Sequence, residues 1–176
     1  MKNILAFAGS NSLNSINKAL ATYAASLVED AKVTILDLND FDLPIFSVDL
    51  EAKNGIPENV KKFHKYIEET DGIVISLAEN NGAYSAVFKN LFDWISRHES
   101  KLFMGKPMLL MATSTGSRGG ATVLAMAHSR FPYHDAKIAA EFSLPLFSDK
   151  FADGKITDSE FDDKLKEAVK LFQKQL

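Results

Sequence analysis

The sequence predicts a three-layer, doubly wound α/β fold on a five-stranded parallel sheet. Three observations carry this. Five short runs, at 4–8, 33–38, 72–78, 108–113 and 138–144, alternate with segments of helical spacing, the pattern of crossover connections between parallel strands. Several of the runs are apolar at nearly every position, as strands covered on both faces are. The chain of 176 residues is 46% hydrophobic and 24% charged, which fits one soluble domain over 1–176.

In chain order, the first run has about five apolar residues, short of the roughly 7–15 of a signal-peptide core. It reads as a buried strand, and a cytoplasmic location is expected. A stripe of Ile16, Leu20, Tyr23, Leu27 and Val28 makes the first helix. After the second run, the segment 41–55 carries Pro44 and reads as a loop, either a flap or a surface excursion. Val60, Phe63 and Ile67 mark the next helix, with Pro57 in its first turn. After the third run, a helix over 84–97 carries Tyr84, Phe88, Leu91 and Ile95. Its Phe88, Phe92 and Trp94 point in several directions, more apolar surface than one core face requires. Val123, Leu124, Ala127 and Phe131 follow the fourth run. The residues 157–160, Thr-Asp-Ser-Glu, fit a capping box that opens a last helix with Phe161, Leu165, Ala168, Phe172 and Leu176. With five strands, the flavodoxin-like order 2-1-3-4-5 is expected.

Composition excludes several functions. There is no cysteine, hence no disulfide, cysteine nucleophile or thiolate metal site. A net charge of −3 without a basic run argues against nucleic acid. No apolar stretch approaches the roughly 20 residues of a membrane span. His64, His98, His128 and His134 form no metal-ligand spacing, so no metal is expected. The patterns G-x-G-x-x-G, Walker A and G-x-S-x-G are absent.

In a sheet of this kind ligands bind beyond the carboxyl ends of the strands. Three loops there are candidates. The first, 9–17, is rich in hydroxyls and amides and runs into a helix N-terminus, where free N–H groups and the dipole favour an anion. Ser10, Ser12, Ser15, Ile16 and Asn17 make a phosphate cup without fixed positive charge. Helix capping by Asn14 or Ser15 explains the same residues, and the two readings are compatible. The second loop presents Ala78, Glu79, Asn80 and Asn81, with Asn81-Gly82 as a turn signal. It serves either as an ordinary strand-to-helix turn or as the edge of a site for a planar ring. The third presents Ser114, Thr115, Gly116 and Gly119, with Gly120 behind them. Its glycines either give simple flexibility or let backbone lie flat against a ligand. No side chain stands out as catalytic.

Together these loops resemble the NADPH-dependent FMN reductase family, flavodoxin-like enzymes that include quinone, azo and chromate reductases. Gly9, Ser10, Ser15 and Asn17 match the family's G-S-x-R-x-x-S-x-N motif, with Ser12 at the arginine position. Glu79 and Asn81 match its P-E-Y-N element, where Ala78 replaces proline and Asn80 tyrosine. Lys89, Asn90, Asp93 and Trp94 match K-N-x-x-D-W, the most specific part. Gly116, Gly119 and Gly120 match a Gly-rich loop ending in Gly-Gly. The resemblance implies FMN as cofactor, its phosphate in the first loop and its ring between the other two. NADPH or NADH would supply hydride in a ping-pong reduction of a quinone, azo, flavin or similar small-molecule acceptor, the flavin carrying the chemistry. It also implies a homodimer or dimer of dimers, with the 84–97 helix as an interface element. Without an arginine at position 12, the phosphate would be met by helix dipole, hydroxyls and Lys18 nearby. Two other readings are a flavodoxin-type electron carrier, and a family member that has lost tight FMN binding through Ser12 and Asn80. The carriers share a T-x-T-G-x-T loop, absent here, and are usually far more acidic.

Overall fold

The computed structural model describes residues 1–176. The strands are β1 (Lys2–Gly9), β2 (Ala31–Leu36), β3 (Gly72–Leu77), β4 (Glu79–Asn80), β5 (Ala83–Tyr84), β6 (Pro107–Thr113), β7 (Lys137–Leu144), β8 (Phe151–Ala152) and β9 (Lys155–Ile156). The helices are α1 (Ile16–Ser26), α2 (Val48–Asn54), α3 (Glu58–Glu68), α4 (Ala86–His98), α5 (Ala121–Arg130), α6 (Phe147–Lys150) and α7 (Ser159–Gln173). The five long strands pair in parallel in the order β2-β1-β3-β6-β7. Counting only these five, this is the expected 2-1-3-4-5. The remaining four strands form two small antiparallel hairpins.

Alternation along the central strands splits the core into two layers. Ile4, Ala6, Val74, Leu109 and Met111 face α1 and α7. Leu5, Phe7, Ile73, Ile75 and Leu110 face α3, α4 and α5. That is why β1, β3 and β6 read as unbroken apolar runs. No helix is long and apolar enough to cross a membrane.

Four expectations change. First, the segment 41–55 is not a bare loop. It contains α2, and Phe41 is buried against Phe63. Trp94 Nε1 donates to Pro44 O at 2.8 Å, and Asn90 Oδ1 accepts from Phe46 N at 2.9 Å. Second, Tyr84 lies in β5 rather than on a helix, and α4 begins at Ala86 behind the cap Ser85. Third, the apolar residues of α4 are not spare. Phe88, Phe92 and Trp94 are 3%, 7% and 0% exposed. Phe88 and Phe92 pack with Tyr84 and Phe131, and Trp94 packs edge-on against Phe46. The helix is apolar on more than one side because the 41–55 segment covers its second side within the chain. Fourth, the last helix is capped by Asp158, which accepts from Phe161 N, one residue later than the box reading placed it.

Candidate functional site at the carboxyl rim of the sheet

The three candidate loops leave the carboxyl ends of β1, β3 and β6, three adjacent strands. Neighbouring strands lie roughly 4.8 Å apart, so the loops emerge side by side over about 10 Å. The chain leaves β1 for one edge of the sheet and returns on its other side to β3, which makes this the switch point of the fold.

The first loop is a cradle of donors. Ser15 caps α1, its Oγ accepting from Lys18 N at 3.1 Å. Ser10 Oγ accepts from Ser12 N at 3.2 Å. Both hydroxyls keep their protons free to donate. None of the backbone N–H groups of residues 13–17 has an acceptor within the chain. Ile16 therefore contributes its N–H, while its side chain packs on the core. This donor set fits a phosphate monoester.

Two expected contributors do something else. The Asn17 side chain is buried and turned inward. Its Oδ1 accepts from Ser76 Oγ at 2.6 Å and Thr113 N at 3.1 Å, and its Nδ2 donates to Thr113 O at 3.2 Å. It pins the first turn of α1 to β3 and β6, and only its backbone N–H faces the cup. Lys18 is spoken for as well. Its Nζ pairs with Asp37 Oδ2 at 2.5 Å. That hydrogen bond, helped by Asn39, holds the Asp37 carboxyl below its ordinary range. Asn39 Nδ2 also donates to Asn11 O, bracing the loop.

The second loop is a hairpin. Glu79 pairs with Tyr84 and Asn80 with Ala83. Asn81 and Gly82 have φ of 51° and 74°, the two left-handed residues that an Asn-Gly hairpin turn requires. Asn80 and Asn81 are exposed, and Ala78 is half-buried. Glu79 points away from any cup. Its Oε2 accepts from Thr122 N and Val123 N, both at 2.9 Å, capping α5 from another loop. The sequence signal for this was the missing cap on α5, since Gly120 stands where a side-chain acceptor is usual. Ser85, passed over in the sequence, caps α4 and donates to Gly9 O at 2.7 Å. Its position before an apolar helical stripe was a legible signal.

In the third loop the glycines divide. Gly119 and Gly120 are buried, with φ of 57° and 76°. A Cβ at Gly120 would lie 2.8 Å from Ala112 Cβ, and one at Gly119 2.8 Å from Pro145 N. Their glycine character answers to internal packing, not to a ligand. Gly116 is exposed, and a Cβ there would meet only Ser114 Oγ at 3.8 Å. Ser114, Thr115 and Gly116 are thus the part of this loop open on the rim. Ser114 O and Gly116 O accept from Phe147 N and Leu146 N, which fixes the backbone. Arg118 is exposed and donates to Thr122 Oγ1.

No group of histidine, aspartate and glutamate is arranged to hold a metal ion. A groove of about 500 Å³ between Leu27 and α7, lined by Lys166, Lys170 and Lys174, lies at the opposite end of the sheet.

Comparison with known proteins places this rim in context. The sequence profile of the NADPH-dependent FMN reductase family matches residues 2–149. A quinone reductase of Escherichia coli K12 is 35% identical over 80 residues, 46% of this chain and 43% of its own length. An NAD(P)H-dependent FMN reductase of Pseudomonas aeruginosa is 30% identical over 119 residues, 67% of this chain and 63% of its own length. The matched stretches thus span less than two thirds of these two relatives. Among solved structures, the flavoenzyme NAD(P)H:(acceptor) oxidoreductase FerB of Paracoccus denitrificans superposes with a TM-score of 0.78 at 26% identity. That match covers 99% of this chain and 97% of FerB.

Proposed function

The chain belongs to the NADPH-dependent FMN reductase family, and from that premise we propose that it is an NAD(P)H-dependent oxidoreductase holding one FMN on the carboxyl rim. One observation supports the reading above the others. A helix N-terminus with unused N–H groups stands beside two loops whose outer backbone is open, at the switch point of the sheet. When bound, FMN would supply the redox chemistry of two-electron transfer from NADPH or NADH to a small-molecule acceptor.

The chain's own residues bind and orient. The N–H groups of 13–17 and the hydroxyls of Ser10, Ser12 and Ser15 hold the phosphate through hydrogen bonds and the α1 dipole. No cation helps, because Lys18 is neutralised by Asp37. Ala78, Asn80 and Asn81 frame one edge of the ring, and Ser114, Thr115 and Gly116 the other. Glu79 and Gly119 hold these loops rather than touch the ring. With the exposed Asn80 where the family motif carries tyrosine, the outer ring face is left uncovered, so nicotinamide and acceptor occupy it in turn. Flat acceptors of the quinone, azo or flavin class suit such a face. A homodimer, which the family resemblance implies, would bury exposed apolar side chains such as Ile45 and Val48, 80% and 64% exposed.

Under anaerobic conditions NADPH or NADH should bleach the absorption band of the bound flavin. Steady-state assays with a quinone should give parallel double-reciprocal lines, the pattern of alternating occupancy of one site. Bleaching by a one-electron donor but by neither nucleotide would instead assign the protein to the electron carriers.

A further inference from the structure

We propose that Glu79 is a positioning residue for the flavin ring: by capping α5 from the β4–β5 hairpin it locks two loops of the rim together and masks the positive end of α5 beside the ring. This rests on the FMN reading above. The contrast between the two helix N-termini on the rim carries it. At α5 each of the first four N–H groups has an acceptor. Ala121 N donates to Arg118 O, Thr122 N and Val123 N to Glu79 Oε2, and Leu124 N to Gly120 O. At α1 the N–H groups of Ile16 and Asn17 have none. An anion on this rim therefore has one helix end open to it and the other closed by a carboxylate, and the two ends of the cofactor cannot be exchanged.

The contact is also an anchor. A hairpin of two residue pairs has no stability of its own, and Glu79 ties it to residues 43 and 44 positions along the chain. No lysine, arginine or histidine pairs with Glu79. Its carboxylate is held by the two N–H groups of the helix end, with the Arg118 guanidinium on the hydroxyl of the same Thr122. Neutralising the carboxylate leaves the α5 dipole unopposed next to the ring and favours the more electron-rich, reduced flavin.

Two variants separate charge from geometry. Glu79→Gln keeps an oxygen for both N–H groups and removes the charge, whereas Glu79→Ala removes both. With Glu79→Gln, reduced FMN should gain about tenfold in binding over oxidised FMN, a rise of about 30 mV in the two-electron midpoint potential. The melting temperature should change little. With Glu79→Ala, FMN and riboflavin should both bind at least tenfold more weakly and by the same factor, because the ring site and not the phosphate cup is disturbed. A midpoint potential unchanged in Glu79→Gln overturns the proposal, as does a loss in Glu79→Ala confined to FMN. If Glu79→Ala does not fold, the potential of Glu79→Gln decides. A wild-type protein that binds no flavin overturns the function proposed above and this inference with it; a flavin-binding wild type with an unmoved potential overturns this inference alone.

Discussion

Asn17→Ala should destabilise the protein by about 3 kcal/mol or more, the largest effect expected of any polar substitution on the rim. The amide sits at 2% exposure, facing Ser76 at 0% and Thr113 at 1%. Truncation leaves the Ser76 hydroxyl and both backbone groups of Thr113 without partners, in a place water does not reach. Each buried polar group left unmade costs about 1–3 kcal/mol. For a chain of this size that is a fall of roughly 6–12 °C in melting temperature. Asn17→Asp should fare no better. It keeps the two accepted bonds but turns an oxygen toward Thr113 O and buries a charge. Because the first turn of α1 hangs from this clamp, any folded fraction should also lose FMN more than riboflavin. A melting temperature within 2 °C of wild type would show that the clamp carries little.

Gly119→Ala and Gly116→Ala should behave in opposite ways. At Gly119 the backbone has φ of 57°, which costs a residue with a Cβ roughly 1–2 kcal/mol. The added carbon would also meet Pro145 N at 2.8 Å and Leu144 C at 3.0 Å, backbone atoms that cannot step aside. The loop has to move, and a total loss of about 3 kcal/mol is expected by chemical denaturation. At Gly116 the carbon meets only Ser114 Oγ at 3.8 Å. The fold should accept Gly116→Ala within about 0.5 kcal/mol, while flavin binding weakens for FMN and riboflavin alike, because this is the backbone left for the ring. Equal stability losses in the two variants would remove the division of the glycines.

How much of this the sequence carried depends on the distance over which each feature is decided. The strand runs and their order were legible, because burial of β1, β3 and β6 on both faces writes itself into every position. The turn at Asn81-Gly82 was legible for the same reason: it is decided by two residues. The candidate rim followed from topology. What the sequence did not reveal are contacts between residues far apart in the chain. Nothing in 9–17 says that Asn17 reaches residues 76 and 113. Nothing near Glu79 says that its carboxylate serves α5, although the uncapped start of that helix hinted at an outside acceptor. The apolar surplus of α4 is visible in the sequence, but its partner, the 41–55 segment, has the sequence of a loop. Only the fold shows that Pro44 and Phe46 lie over Trp94.

The central claim is that a phosphate rests on α1 through hydroxyls and N–H groups, with the ring on the neighbouring loops. It is tested most directly by the affinities of FMN and riboflavin, measured side by side for the wild type and for the double variant Ser10→Ala, Ser15→Ala. Wild type should prefer FMN by at least tenfold, about 1.4 kcal/mol. In the double variant that preference should collapse, with riboflavin binding unchanged. Equal affinity of wild type for the two flavins, or a parallel loss of both in the variant, would contradict the account.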